Sequence, residues 1–285
     1  MGTHTFKCII IFFLLCSVNT QAKLFATEQV DTVKIAVRAL SGVVAATDKW
    51  TATAEYLSDA IEGYTFLIKP VISLDEMHDV IEKGEVNFVL TNPTAYIDLS
   101  VNYGVARLVT LINMTERGGF PEYGGVIFTR ADRDDINEFN DLVGKSIMGV
   151  HLESFGGWRM AYRELIEVGI EPFEDCSEVL FSPNSLQKEV VRHVLQKQVD
   201  IGAIRTGILE NMVASGDIDR GDFKIIGLLN DDFPLLHSTR LYPEWPFASL
   251  QHTNDLLEQR VTIALLQMKP EDLAAHEGGY TGWRI

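Results

Sequence analysis

The sequence predicts an α/β protein of two lobes, each a mostly parallel sheet flanked by helices, with a ligand cleft between them. Three observations carry this reading. Between Val30 and Gly104, buried-strand runs alternate with helical runs as βαβαβα. A second such series follows between Ser146 and Arg205. The strands between the two series take the chain from the first unit to the second, and the stretch Phe223–Thr239 brings it back. Alternation of this kind calls for a sheet with helices on both faces and for ligands at the carboxyl ends of its strands. The expected lobes are residues 30–125 with 235–285, and residues 126–234.

The elements follow in order. Val30–Leu40 has the β-branched character of a first buried strand, ending near Arg38. Trp50, Ala54, Leu57 and Ile61 recur at helical spacing, with Thr47 or Asp48 as cap and Gly63 as stop. Tyr64–Ile72 is a second strand, Ser73–Val86 a capped helix, and Asn87–Asn92 a third strand. The next helix carries Pro93 in its first turn, where the missing N–H costs nothing. Strands around Leu108–Ile112 and Tyr123–Thr129 flank a Gly/Pro loop, and a short helix ends near Gly144. The strand Ser146–Val150 then enters a helix from Trp158 to Val168. Strands at Glu178–Pro183 and Val199–Arg205 enclose the helix Asn184–Gln198, and a last helix covers Thr253–Met268.

The chain of 285 residues is 46% hydrophobic and 22% charged, which suits a folded globular protein and neither a disordered chain nor a membrane bundle. Its first 22 residues differ: Lys7 precedes the apolar run Cys8–Val18, and Thr20 and Ala22 offer small residues before a cut. That order predicts a secretory signal over residues 1–22, and so a protein in the periplasm or tethered to its membrane. The formal net charge is −16, and removal of the signal takes away one base, Lys7, and no acid, leaving about −17. Such a surface argues against nucleic acid and anionic lipid as partners. Cys8 and Cys16 leave with the signal, so Cys176 has no partner for a disulfide.

The junction Ser154-Phe155-Gly156-Gly157 stands at a helix start, where N–H donors are unpaired and glycine admits close backbone approach. It reads either as an oxyanion cradle or as an N-cap serine with glycines for packing. Arg205 ends a buried strand, so its guanidinium falls at the cleft, able to make two parallel bonds to an oxyanion, or else pairs with Glu210 or another acid on the lobe surface. Arg38, ending the first strand, and Arg117, in the Gly/Pro loop, are further candidate cations. A serine hydrolase is the rival reading, with His151 or His237 as base. Leu152-Glu153-Ser154-Phe155-Gly156 lacks the first glycine of a nucleophile elbow, however. The seven histidines are scattered without metal-ligand spacing, so no metal or cofactor is expected.

The runs "INEFNDLVGKSIMGV", "ESFGGWRM" and "QKQVDIGAIRTGILENM" resemble the phosphate, phosphite and phosphonate branch of periplasmic solute-binding proteins. "TRLYPEWPFASL" and the terminal "YTGWRI" are similar to the sensor domains of tetrathionate-type sensor histidine kinases. The resemblance runs from about Val33 to the end. It implies the type II periplasmic-binding fold and a receptor that closes on a small anionic ligand without catalysing a reaction. Its partner would be a membrane sensor kinase or an ABC permease. It also implies that the Ser154 turn touches ligand, that Tyr96 reaches the cleft beside donors from Thr91, Asn92 and Thr94, and that Trp50 or Tyr56 supplies an aromatic wall. Receptors of this branch for amino-bearing ligands carry acids where Arg205-Thr206 stands here, so the resemblance argues against an aminoalkylphosphonate. Sensor kinases of this type continue into a membrane helix and kinase core, neither of which is in this sequence.

Overall fold

The computed structural model describes residues 30–285; the expected signal, residues 1–22, lies outside them. The first half runs β1 (Asp31–Arg38), α1 (Val43–Ala60), β2 (Tyr64–Val71), α2 (Leu74–Glu82), β3 (Phe88–Leu90), α3 (Pro93–Tyr103), β4 (Ala106–Thr115), β5 (Gly118–Phe120) and β6 (Glu122–Tyr123). Then follow β7 (Gly125–Arg130), β8 (Ser146–Gly149), α4 (Met160–Glu167), α5 (Pro172–Asp175), β9 (Glu178–Phe181), α6 (Gln187–Leu195), β10 (Ile201–Arg205), α7 (Ile208–Ala214) and β11 (Phe223–Ile226). The chain ends with β12 (Tyr242–Pro243), β13 (Pro246–Ser249), α8 (Asp255–Gln267), α9 (Leu273–Gly278) and β14 (Tyr280–Arg284).

Two sheets organise these elements. The first has the order β14-β4-β13-β3-β1-β2, with β5 on β4; the second has the order β11-β7-β10-β8-β9. The βα units pair in parallel, β1 with β2 and β3, and β8 with β9 and β10. The strands added between and after those units pair antiparallel, so both sheets are mixed. Parallel pairing needs a crossover helix after each strand, whereas β7, β11, β13 and β14 return by other routes. Side chains alternate as a strand covered on both faces requires. Along β1, Val33, Ile35 and Val37 enter the core beneath α1 and α8, while Ala36 faces α2 and α3. In the second sheet Ile204 joins the α6 side, and Ile201 and Ala203 pack with Trp158 and Leu165.

The two sheets are joined through β6 and β12, which form a two-stranded ladder pairing Tyr123 with Tyr242 and Glu122 with Pro243. The segment before β12 stays with the second sheet: the Ser238 N–H donates to the Gly125 carbonyl at 2.8 Å, and Thr239 Oγ1 accepts from the Gly125 N–H at 2.8 Å. α1 starts four residues before the expected cap, after Gly42, because Thr47 spends its hydroxyl on the Val43 carbonyl inside the helix. Among the described residues no helix is long and apolar enough to cross a membrane.

Candidate functional site

A cavity of about 500 Å³ opens between the sheets at the carboxyl ends of β1 and β8. The first sheet contributes Arg38 and, from α1, Lys49 and Trp50; the second contributes His151 and Ser154. Arg38 is 4% exposed. Its Nη2 donates across the gap to Glu153 at 2.6 Å, and its Nη1 is buried with no partner. A cation held out of water with one N–H edge unsatisfied has the chemistry to pair with an anion.

Lys49 is half-buried, with Nζ 4.9 Å from the centre of the Trp50 ring. Burial and then the charge of Arg205 push its pKa down to about 8, against the pull of Glu244. Arg205 itself is committed. Its guanidinium lies 4.3 Å from the Tyr123 ring centre and Nη2 donates to Glu244 at 2.5 Å, so its partner is the connecting segment and not Glu210. Burial opposes the Arg205 charge, but Glu244 and Tyr123 hold its pKa above the ordinary value. Burial and Glu244 push the Tyr123 hydroxyl well up, with Arg205 opposing. Glu210 instead accepts from the Leu236 N–H at 2.7 Å.

The Ser154 junction is a π turn, Phe155–Arg159, leading into α4, where the sequence predicts a plain helix start. Ser154 is 7% exposed and its Oγ accepts from the Gly157 N–H at 3.2 Å, the N-cap bond. Both glycines are required by space. A Cβ on Gly156 would meet Tyr123 Cε2 at 2.7 Å and Arg205 Cβ at 2.8 Å, and one on Gly157 would meet Val150 Cγ2 at 2.5 Å. Phe155 turns away from Arg38, its ring edge-on to Tyr242 at 5.0 Å and Tyr123 at 6.2 Å. Neither histidine serves Ser154: His151 Nδ1 accepts from the Glu153 N–H at 3.2 Å, and His237 bonds Thr239 and Asp231. Among the described residues no group of His, Cys, Asp or Glu is placed to hold a metal.

The remaining sequence candidates scatter. Asn92 caps α3, its Oδ1 accepting from the Ala95 N–H at 2.9 Å, while the hydroxyls of Thr91 and Thr94 are buried without partners. Tyr96 lines a different cavity, together with Phe155. Thr206 is bonded to Gly124 on the connection, through its N–H at 3.0 Å and its Oγ1 at 3.4 Å. Tyr56 donates to the Ala264 carbonyl at 3.0 Å, on the α8 side of the first sheet, and Arg117 is exposed in the β4–β5 turn. Both stand away from Arg38, because α1 turns Tyr56 toward α8 and the β4–β5 hairpin extends past the strand ends. Sequence reasoning misses Lys49, Tyr123 and Glu244, and also Trp245, which lines the cavity with Arg38. The available signal was "YPEWP", an acid and an aromatic locked between prolines in a run already singled out.

Comparison with known proteins agrees with this architecture. A family model described as ABC transporter, phosphonate, periplasmic substrate-binding protein matches residues 42–284. The tetrathionate sensor histidine kinase TtrS of Salmonella typhimurium is 33% identical over 234 residues, 81% of this chain and 38% of that protein. The phosphate-import protein PhnD of Mycolicibacterium smegmatis is 25% identical over 148 residues, 50% of this chain and 46% of that protein. The chain thus spans less than half the length of these two curated relatives. Among solved structures, XAC2383 from Xanthomonas citri bound to ATP has a TM-score of 0.70 at 19% identity, covering 90% of this chain and 91% of that one. The fold is the two-lobed type II periplasmic-binding fold. The chain belongs to the phosphonate-binding family of ABC-transporter periplasmic substrate-binding proteins.

Proposed function

We propose that the protein is an exported receptor for a small oxyanion of the phosphonate, phosphite or sulfur-oxyanion class, and that it provides the ligand-sensing input to a membrane sensor kinase. The anion sits between Arg38 and Lys49 on one lobe and the Ser154 turn on the other, with Arg205 held behind them by Glu244. The observation that carries the reading is Arg38, a buried cation with Nη1 unpartnered on the inter-sheet cavity. The lobes, residues 30–125 with 235–285 and residues 126–234, close on the anion about the β6–β12 ladder, and the partner reads the closed shape. The relation to TtrS favours a kinase as that partner. The family description and the relation to PhnD favour a second reading, the substrate-binding component of an ABC transporter. Export rests on Lys7 and the apolar run Cys8–Val18, and the relation to binding proteins favours a binding role for Ser154 over a catalytic one.

A thermal-shift screen of phosphate, phosphite, methylphosphonate, sulfate, thiosulfate and tetrathionate tests the reading. A ligand at about 100 times its Kd adds about 2.7 kcal/mol of stability, which such a screen resolves. Arg38→Ala is expected to lose at least ~2 kcal/mol of binding to the stabilising anion, since truncation leaves a desolvated charge unmatched. Unchanged affinity in that variant would sink the proposed site.

A further inference from the structure

A second cavity, of about 640 Å³, lies against the connecting strands and is shared by both sheets. Four arginines line it, in a chain whose net charge is −16. Arg163 and Arg240 are neutralised by Glu164 and Glu167 beside them. Arg107 and Arg284 make no ion pair among the described residues. Arg107 Nη1 donates to Thr110 Oγ1 at 3.0 Å, and Arg284 stands directly across from Thr110 in the β4–β14 ladder. Two uncommitted guanidinium groups therefore flank one threonine on the same cavity wall.

The opposite need is met by Glu244. It lines this cavity and is 2% exposed; its Oε1 accepts from Arg205, and its Oε2 is buried with no partner. A buried carboxylate oxygen without a donor is a strong acceptor waiting for an N–H or O–H. Tyr96 from α3 and Phe155 from the π turn add apolar surface. Convergent polar groups on an otherwise apolar wall are the usual constitution of a small-molecule site.

We propose that this cavity is a second ligand site, for a short organic oxyanion that also carries a hydrogen-bond donor. The oxyanion lies on Arg107 and Arg284, the donor on Glu244 Oε2, and the carbon body against Tyr96 and Phe155. A planar guanidinium offers two parallel N–H bonds to an oxyanion, and two of them fix its orientation. The cavity is distinct from the one that Arg38 lines, and the Arg205–Glu244 pair and the Ser154–Phe155 turn stand between the two. Because its walls come from both sheets, an occupant would favour one disposition of them over another.

The test titrates taurine, and ethanesulfonate as its counterpart without the donor, into the protein while backbone amide resonances are followed. Taurine is expected to shift the amides of Arg107, Thr110 and Arg284 saturably, and to bind about tenfold more tightly than ethanesulfonate, the worth of a hydrogen bond to a charged group. Arg107 and Arg284 are exposed, so the double variant R107A/R284A should keep the melting temperature of the parent while losing at least about tenfold in taurine affinity. Three results would each overturn the proposal: shifts confined to the amides around Arg38 and Ser154, equal affinity for the two probes, or undiminished affinity in the double variant.

Discussion

Lys49 is where the cleft meets the solution. Burial and Arg205 lower its pKa to about 8, so in the free protein it loses its proton well before an ordinary lysine. An anion bound beside it favours the ammonium and raises that pKa. Below about pH 8 the free and bound proteins carry the same proton, and binding is insensitive to pH. Above it the complex holds a proton that the free protein lacks, so binding takes up a proton and affinity falls as pH rises. Calorimetry in buffers of different ionisation enthalpy should show this uptake in the parent and its loss in Lys49→Met; an identical alkaline fall in the variant would place the titrating group elsewhere. Ser154 was legible as a helix-start residue because a recognisable strand and helix meet there; Arg205 was legible only as the end of a strand, for its guanidinium is spent on Glu244 and does not line the cavity with Arg38. Lys49 was not legible, since a helix expected to begin at Thr47 or Asp48 makes it a solvated first-turn charge. The partner of Arg205 was hidden for a different reason: nothing in a Pro-Glu-Trp-Pro stretch without periodicity says that the acid will be buried.

Elements carry the geometry that those residues use. The π turn Phe155–Arg159 presses its backbone onto the root of Arg205 and the ring of Tyr123, contacts that only a residue without Cβ allows at Gly156. Gly156→Ala should therefore cost about 1–3 kcal/mol in a urea melt, as overpacking does, and should weaken anion binding by displacing Ser154 or Arg205. A stability within error of the parent would mean that the turn has room to shift. The strand before this turn and the helix after it were both legible, because apolar spacing marks them. The π character was not, as five residues are too few for periodicity to separate an i+5 turn from an i+4 one. Asn92 was legible as a residue at the α3 boundary, and its side chain closes the first turn of α3 as the capping rule requires.

At the scale of the whole molecule, the parallel βα units were legible from alternation alone, whereas the antiparallel additions were not. Strands such as β13 and β14 owe their places to where the chain returns, a matter of topology that local pattern does not encode. Among the described residues one ion pair crosses the cleft, Arg38 with Glu153, and another, Arg205 with Glu244, ties the second sheet to the connecting segment. The first is unequal: the Arg38 side chain is 3% exposed and that of Glu153 39%. The acid can leave for water at small cost, and the base cannot. Glu153 is thus a ligand that the receptor carries on a leash, occupying half of the Arg38 fork at the high local concentration that a short tether confers. Any anion from solution competes with it. Glu153→Gln, which keeps the shape and removes the charge, should bind the cleft anion several-fold more tightly, up to about tenfold; an equal or weaker Kd would show that the carboxylate does not compete. On the function proposed above, the leash would also set a threshold: trace anions would lose the contest with Glu153, and the cleft would stay open until a ligand arrives in earnest.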